Sequence, residues 1–519
     1  MTRTADDVAA LTGWNAHWEG LRVAVLGLGL TGFSVADTLA ELGAELVVLA
    51  NRADNETADL LEVIGVRLAL TDLESELANF APELVVVSPG FAPTHPLVAW
   101  ATAGGIPVWG DVELAWRLRD RSGTVAEWIA ITGTNGKTTT TQLTTAMLIA
   151  GGRRAIACGN VGVPVLDAVR DPTGFDVLVV ELSSFQLHYL QSMSPFSSVC
   201  LNLAADHLDW HGSAEAYRAA KGSVYERTRV ACVYNLEDDS TRELVEEAEV
   251  VEGCRAIGFG RGLPGPSDVG LVNEIVVDRA FLADGWRAAT ELTTVPELEA
   301  VGLGSPHMIA NVLAASALAR SFGVAPGDIR SALQAFRMDH HRTETILERD
   351  GIRWVNDSKA TNPHAAQAAL ESFDSVVWVV GGLLKGVDIA ELVSANVARL
   401  RAAIVIGTDR TALRDAFARH APKLPVFEVA TADTKEVMPM VVRLSAAVAR
   451  GGDTVLLAPA AASMDQFIDY ADRGNRFADA VREAVAVREI DAVREIDAAR
   501  DKDRGFTDDI QPSAPTVED

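Results

Sequence analysis

Lys137 and Thr138 follow directly on a glycine in the stretch ITGTNGKTTTT, Ile131 to Thr141. A phosphate-binding loop uses those two residue types at that place: the ammonium meets the β- and γ-phosphates, and the hydroxyl ligates Mg2+. Gly133 and Gly136 enclose only Thr134 and Asn135, so the loop is shorter than the common pattern with four residues between its glycines. Ile131 and Thr132 end an apolar run, and the residues from Thr138 and Thr139 onward can form a helix. A helix N-terminus turns unpaired N–H groups toward an anion, so strand, loop and helix together imply ATP or GTP. An ordinary β–α turn needs the glycine but has no use for the Lys-Thr pair behind it.

Further candidates lie downstream. Glu181 ends the run VLVVE, where open α/β sheets place ligand residues, and its carboxylate could share Mg2+ with Thr138. Asp206 and His207 end another run, SVCLNLAADH; His207 reads either as a second metal ligand or as a structural histidine. Lys221, in the amphipathic segment EAYRAAKGSVYE, reads as a solvated lysine. A site with two hard cations would want oxygen ligands there, and lysine supplies them only after CO2 converts its amine to a carbamate.

A second glycine signature, GLGLTG at Gly27 to Gly32, also follows an apolar run. Dinucleotide binding calls for an acid at the end of the next strand. That strand, AELVVLANR, ends in Ala50, Asn51 and Arg52, which argues against NAD and suits a phosphorylated sugar nucleotide. A tight glycine turn without a ligand is the other reading. Near the C-terminal end, His341, Arg342, Asp357, Ser358, Lys359, Thr361, Lys385, Ser463 and Tyr470 fall in loops or at strand ends. Cations and hydroxyls gathered this way suit an anionic substrate, although each alone also reads as a helix cap or surface group.

The elements that must hold these residues alternate almost throughout. LRVAVLGLG, AELVVLAN and ELVVVSPG read as strands separated by helices; the rhythm restarts at WIAITGTNG and again at VVWVVGG. Three such series predict an α/β protein with mostly parallel sheets. The expected organisation is a Rossmann-like domain over 1–119, a central P-loop ATPase-like domain over 120–339 with a small antiparallel excursion between 235 and 300, and a Rossmann-like domain over 340–484. Residues 485–519 are charge-rich and then polar, and are expected to form a helical extension and a disordered tail. The 519 residues fit three domains at roughly 150 residues each.

A formal net charge of -27 argues against nucleic acid and against an anionic membrane face. The N-terminus has no signal-like apolar run, and no window reaches the ~18 apolar residues of a membrane span. The four cysteines show no CxxC spacing and are expected to be reduced core or loop thiols. These features read as a soluble cytoplasmic protein; a monomer is expected.

Taken in order, GLGLTG, TGTNGKTT, GNVG at Gly159 to Gly162, ELSSFQL, DHLD, YRAAK, HRTE, NDSKATN, GG..KG and PAAASMDQF resemble the Mur ligase family, over residues 20 to 480. ELSSFQL and DSKATN look like its D-glutamate-adding member. The resemblance implies an ATP-dependent amide ligase acting on UDP-N-acetylmuramoyl-L-alanine and D-glutamate through an acyl phosphate, with two Mg2+ ions. It implies that Gly133, Thr134, Asn135, Gly136, Lys137, Thr138, Thr139, Asn311, Arg342 and Asp357 contact ATP. Thr138 and Glu181 would hold one Mg2+, and His207 with carbamylated Lys221 the other. Thr31, Asn51, Arg52, Gly90, Asn160 and His207 would contact the UDP-sugar. Lys359, Thr361, Lys385, Ser463 and Tyr470 would line the phosphoryl and D-glutamate region, with closure of the third domain excluding water.

Three positions depart from the family pattern. Ala50 stands where an acid is often found, Met308 replaces the Asn of GxHNxxN while His307 and Asn311 remain, and Leu383 takes the acidic position of GGxxKG. Other readings are a different Mur-type ligase such as a folylpolyglutamate synthetase, or a non-catalytic ATP-binding regulator. Lys137, Glu181, His207 and Lys221 argue against the regulator, and the missing strand-end acid argues against a nicotinamide dehydrogenase.

Overall fold

The runs Leu84–Val87, Val177–Glu181 and Val376–Gly381 are buried at every position. Strands of that kind need cover on both faces, which parallel sheets with flanking helices provide. In the computed structural model, which describes residues 3–122, 124–282, 288–337, 341, 343–384, 387–431 and 433–484, all three are inner strands of separate sheets. The chain packs as two compact units divided after residue 337.

The first unit holds two sheets. One contains β1 (Arg22–Leu26), β2 (Glu45–Leu49), β3 (Arg67–Ala69), β4 (Leu84–Val87) and β5 (Val108–Gly110), all parallel, in the order β3-β2-β1-β4-β5. The other contains β6 (Glu127–Thr132), β7 (Ala155–Gly159), β8 (Val177–Glu181), β9 (Ser197–Cys200), β10 (Ala231–Asn235), β11 (Arg255–Phe259), β12 (Asp268–Val272), β13 (Ile275–Asp278) and β14 (Thr290–Thr294). Their order is β14-β13-β12-β11-β10-β9-β6-β8-β7. The antiparallel excursion expected between 235 and 300 is β12–β14; β11, in the same span, continues the parallel sheet from β10. Asn273 at φ 56 makes the tight turn from β12 to β13 possible, since asparagine tolerates the left-handed region.

Charged side chains tie the two sheets of this unit together. Arg170 pairs with Asp37 and with Glu41, the latter at 2.9 Å. Glu113 is fully buried, pairs with Arg117 at 2.7 Å, and accepts the backbone N–H groups of Gln191 and Ser192 at 2.9 and 3.0 Å. A buried carboxylate satisfied this fully fixes the segment after Glu181 against the first sheet.

The second unit contains β15 (Glu344–Arg349), β16 (Ile352–Asn356), β17 (Val376–Gly381), β18 (Leu400–Ile406), β19 (Val426–Glu428) and β20 (Thr454–Leu457), in the order β15-β16-β20-β17-β18-β19. Four strand pairs are parallel, and β15 pairs antiparallel with β16. Asp350 and Gly351 both adopt positive φ, as a two-residue hairpin turn requires, so this edge hairpin adds an antiparallel pair to a mostly parallel sheet.

Candidate active site

The loop after β6 is a rigid cradle. Gly133 lies at φ +152 and Gly136 at φ +82, conformations in which an L side chain is strained. A Cβ on Gly136 would also collide with Asn311 Oδ1. Gly136 caps the helix Lys137–Ala150 and has no side chain to occupy the helix N-terminus, where an anion can bind. The loop is held from beneath: the Thr134 and Asn135 N–H groups donate to the carbonyl and side-chain oxygens of Asn202 at 3.0 and 2.8 Å, and the Asn202 amide donates to the Asn135 carbonyl at 3.2 Å. The Thr134 hydroxyl lies 2.9 Å from the buried Tyr217 hydroxyl. Thr138 and Thr139 are buried in the first turn. Asn311 is buried beside the loop, its amide directed at the Met308 sulfur 3.9 Å away, so the Met308 departure leaves this asparagine in place.

Two lysines converge on one carbonyl. Lys137 Nζ donates to the Gly133 and Thr134 carbonyls, both at 2.9 Å. Lys221 Nζ donates to the same Gly133 carbonyl at 2.8 Å and to the Thr132 hydroxyl at 2.9 Å. Lys221 is 2% exposed, so the solvated-lysine reading fails: it lies on the buried face of its helix with Tyr217 and Ala220. Burial, and then the neighbouring Lys137 charge, push its amine down to about 7. A sizeable neutral fraction at physiological pH is what addition to CO2 requires.

Glu181, 1% exposed, accepts the Asn160 side-chain amide on Oε1 at 2.8 Å, while its Oε2 is buried without a hydrogen-bond partner. A partnerless buried carboxylate oxygen fits a cation. His207 adopts φ 52, sits 3.5 Å from an Asp206 carboxylate oxygen, and meets Phe185 edge-on at 4.7 Å between ring centroids. Among the described residues no three His, Cys, Asp or Glu side chains form a ready-made metal cluster. A metal here would have to draw on hydroxyl, carbamate and phosphate oxygens as well.

Sequence reasoning missed the ring cluster around His207. Phe185, His188, Tyr189, Trp210 and His211 pack together, and His211 Nε2 lies 2.9 Å from the buried Ser184 hydroxyl. Burial, and then the His188 charge, push His211 down to about 4, so its ring is neutral. The Tyr189 hydroxyl donates to the Phe91 carbonyl at 2.8 Å, joining this cluster to the loop that carries Gly90. The buried Asp111 receives the Gln186 amide at 3.1 Å and, through burial, is raised to about 6.

In the first sheet, a Cβ on Gly32 would clash with the Gly27 carbonyl, so the glycine pair permits the helix Leu30–Glu41 to pack against β1. Thr31 lies in that helix's first turn. Asn51, Arg52 and Gly90 are exposed at the ends of β2 and β4. Asn51 lines a cleft of about 460 Å³ with Asp72, Ser75 and His95. Ala50 is buried, so its methyl packs inward.

In the second unit the loop after β16 is fixed from several sides. Thr343 N–H donates to Asp357 at 3.1 Å. Ser358 is fully buried and donates to the Tyr470 carbonyl at 2.8 Å. Lys359 places its ammonium 4.9 Å from the Tyr470 ring centroid. Ser463 is buried, Thr361 is half-buried, and Leu383 bridges Ala462 while 44% exposed. Arg473, which sequence reasoning overlooked, is fully buried; it donates to Ser358 Oγ, the Ser358 carbonyl and the Ala461 carbonyl at 2.9, 2.8 and 3.1 Å. One guanidinium therefore ties the loop of Lys359 to the loop of Ser463. Arg342 and Lys385 lie outside the described residues.

An α/β protein of mostly parallel sheets, with a glycine cradle at one strand end and a buried, partnerless carboxylate oxygen at another, has the parts of a site for phosphates and a cation. The chain belongs to the Mur ligase family: residues 21–110 match the MurD-like N-terminal domain, 131–319 the Mur ligase middle domain, and 341–461 the glutamate ligase domain. It is 61% identical over 498 residues to the UDP-N-acetylmuramoylalanine--D-glutamate ligase of Leifsonia xyli subsp. xyli, covering 93% of this chain and 96% of that protein. It is 50% identical over 471 residues to the protein of the same name from Streptomyces avermitilis, covering 90% and 99%. Its fold is shared with the crystal structure of UDP-N-acetylmuramate-alanine ligase from Thermotoga maritima, at a TM-score of 0.54 and 18% identity over 89% of this chain and all of the other. No helix among the described residues is long and apolar enough to cross a membrane.

Proposed function

We propose that the protein is an ATP-dependent amide ligase that joins the amine of D-glutamate to the alanine carboxylate of UDP-N-acetylmuramoyl-L-alanine, in peptidoglycan precursor synthesis. The observation that carries this reading is the meeting of Lys137 and Lys221 on the Gly133 carbonyl, in a chain 61% identical to a relative of that name. Action in the cytoplasm, as a monomer, belongs to the same reading.

A carboxylate is a poor electrophile. Transfer of the ATP γ-phosphoryl to the alanine carboxylate gives an acyl phosphate; the D-glutamate amine then attacks its carbonyl carbon, and the tetrahedral adduct expels phosphate. Gly133, Thr134, Asn135, Gly136 and Thr139 would cradle the phosphates, and Lys137 would leave its loop carbonyls to offset charge on the transferring group. Asn311, Arg342 and Asp357 would contact ATP. Thr31, Asn51, Arg52, Gly90, Asn160 and His207 would hold the UDP-sugar. Lys359 would act at the phosphoryl group, while Thr361, Lys385, Ser463 and Tyr470 would receive D-glutamate.

The neutral Lys221 amine would add to the carbon of CO2 and lose a proton, leaving a carbamate. Thr138 and Glu181 would hold one Mg2+, and His207 with the carbamate a second; bound there, the ions supply positive charge against the phosphate oxygens. The test is ADP release measured with UDP-N-acetylmuramoyl-L-alanine against a panel of amino acids. The reading expects turnover with D-glutamate; release indifferent to D-glutamate would overturn it.

A further inference from the structure

Two cysteines separated in sequence meet in space. Cys232, on β10, and Cys254, just before β11, place their sulfur atoms 3.8 Å apart. The parallel register sets this: Cys232 stands opposite Ala256, so Cys254 lies one pleat back on the same face. The Cys254 N–H donates to the Val251 carbonyl at 3.0 Å, and Gly253 turns at φ +92, which fixes the approach to β11.

The two thiols occupy different surroundings. Cys232 is 1% exposed, with the Ser198 hydroxyl directed at its sulfur from 3.9 Å. Cys254 is half-buried and flanked by the exposed Val251, Glu252, Gly253 and Arg255. Their shared hydrogen bond holds Cys254 below the ordinary thiol range, while that bond and burial push Cys232 well up. The accessible sulfur therefore ionises first, and the inaccessible one waits behind it.

We propose that Cys232 and Cys254 form a peroxide-responsive redox pair that closes to an intramolecular disulfide. The Cys254 thiolate attacks a hydroperoxide oxygen; the S–O bond forms, the O–O bond breaks, and the leaving oxyanion takes a proton. The Cys232 sulfur then attacks the Cys254 sulfenic sulfur, the S–S bond forms, the S–O bond breaks, and hydroxide leaves as water. The two sulfurs lose two electrons in total and the peroxide gains them. With a resolving thiol in contact, oxidation stops at the reversible rung, short of sulfinic acid. Cys158 and Cys200 provide internal references: both are buried, and burial raises each thiol, Cys200 to about 11.

The native full-length protein is treated with hydrogen peroxide, quenched with N-ethylmaleimide, digested without reduction and read by mass spectrometry. The expected result is one linked peptide pair containing Cys232 and Cys254, two hydrogens lighter than its reduced parts and undone by dithiothreitol, with Cys158 and Cys200 unmodified. Cys232→Ser should leave a sulfenic acid at Cys254 that dimedone traps. The wild-type digest decides even where that variant folds poorly. Cys254 recovered as a free thiol or as sulfinic acid, without the linked pair, would overturn the proposal.

Discussion

Asn160 and Glu181 are joined twice: the Asn160 side-chain amide donates to Glu181 Oε1 at 2.8 Å, and its backbone N–H donates to the Glu181 carbonyl at 2.9 Å. Gly159 makes the approach possible, since a Cβ there would strike that same carbonyl. The pairing fixes one carboxylate oxygen and leaves the other, Oε2, buried and open to a ligand. Glu181→Gln keeps the shape and removes the charge. On the reading proposed here kcat should fall by about 10²–10³-fold, the scale of one lost electrostatic stabiliser. Steady-state kinetics at saturating Mg2+ and substrates, beside a melting curve showing an intact fold, measure it; activity within tenfold of the parent would count against the role.

Lys221 gives a dependence whose direction follows from its burial. Its folded amine is depressed to about 7 from an ordinary 10.5, so between those values the unfolded chain binds more protons. Stability from this group therefore rises as pH climbs from about 7 to 10.5, and the penalty is full below that window. Carbamate formation needs the neutral amine and should increase through the same lower limit. Labelled CO2 added to bicarbonate-free protein should give a carbamate carbon signal that grows from pH 6 to 8 and is absent in Lys221→Ala. The Ala variant should also lose activity and regain part of it with small carboxylates.

Asp111 titrates the other way. Burial raises its carboxyl to about 6 from 3.8, so the folded protein binds the extra proton and stability falls as pH rises between those values. Asp111→Asn keeps an acceptor for the Gln186 amide and removes the buried charge. Thermal denaturation at neutral pH should show a gain on the order of 1–3 kcal/mol, and the slope between about pH 4 and 6 should flatten. An unchanged pH profile would refute the assignment.

Arg473 should matter to one substrate more than the other. Arg473→Met leaves Ser358 Oγ and two carbonyls, of Ser358 and Ala461, without their buried donor. The second unit should lose about 3 kcal/mol by thermal denaturation, the cost typical of stripping a buried charged donor. Because this side chain joins the loops of Lys359 and Ser463, the KM for D-glutamate should rise severalfold more than the KM for ATP. Equal changes in both would indicate a purely structural role.

What the sequence disclosed depended on how local each signal is. The strand ends before Gly133 and at Glu181 were readable because an apolar run stopping at glycine or at a carboxylate is a local pattern. The Asp350-Gly351 hairpin was also local, yet the charged run ETILER masked it as an edge strand. Lys221 sits in a helix whose amphipathic pattern suggests a solvated amine; only packing against the β6 loop shows it buried. Arg473 stands among polar residues with no spacing signal, and one of its partners, Ser358, is more than a hundred residues away. Cys232 and Cys254 meet through strand register, which no short motif encodes.

The most direct measurement follows oxygen. UDP-N-acetylmuramoyl-L-alanine labelled with 18O in its alanine carboxylate is turned over with ATP and D-glutamate. A reaction through an acyl phosphate yields an amide product with D-glutamate, one ADP and one phosphate per amide, and one 18O atom carried from the carboxylate into that phosphate. Amide formed with unlabelled phosphate, or ADP released with no amide, would contradict it.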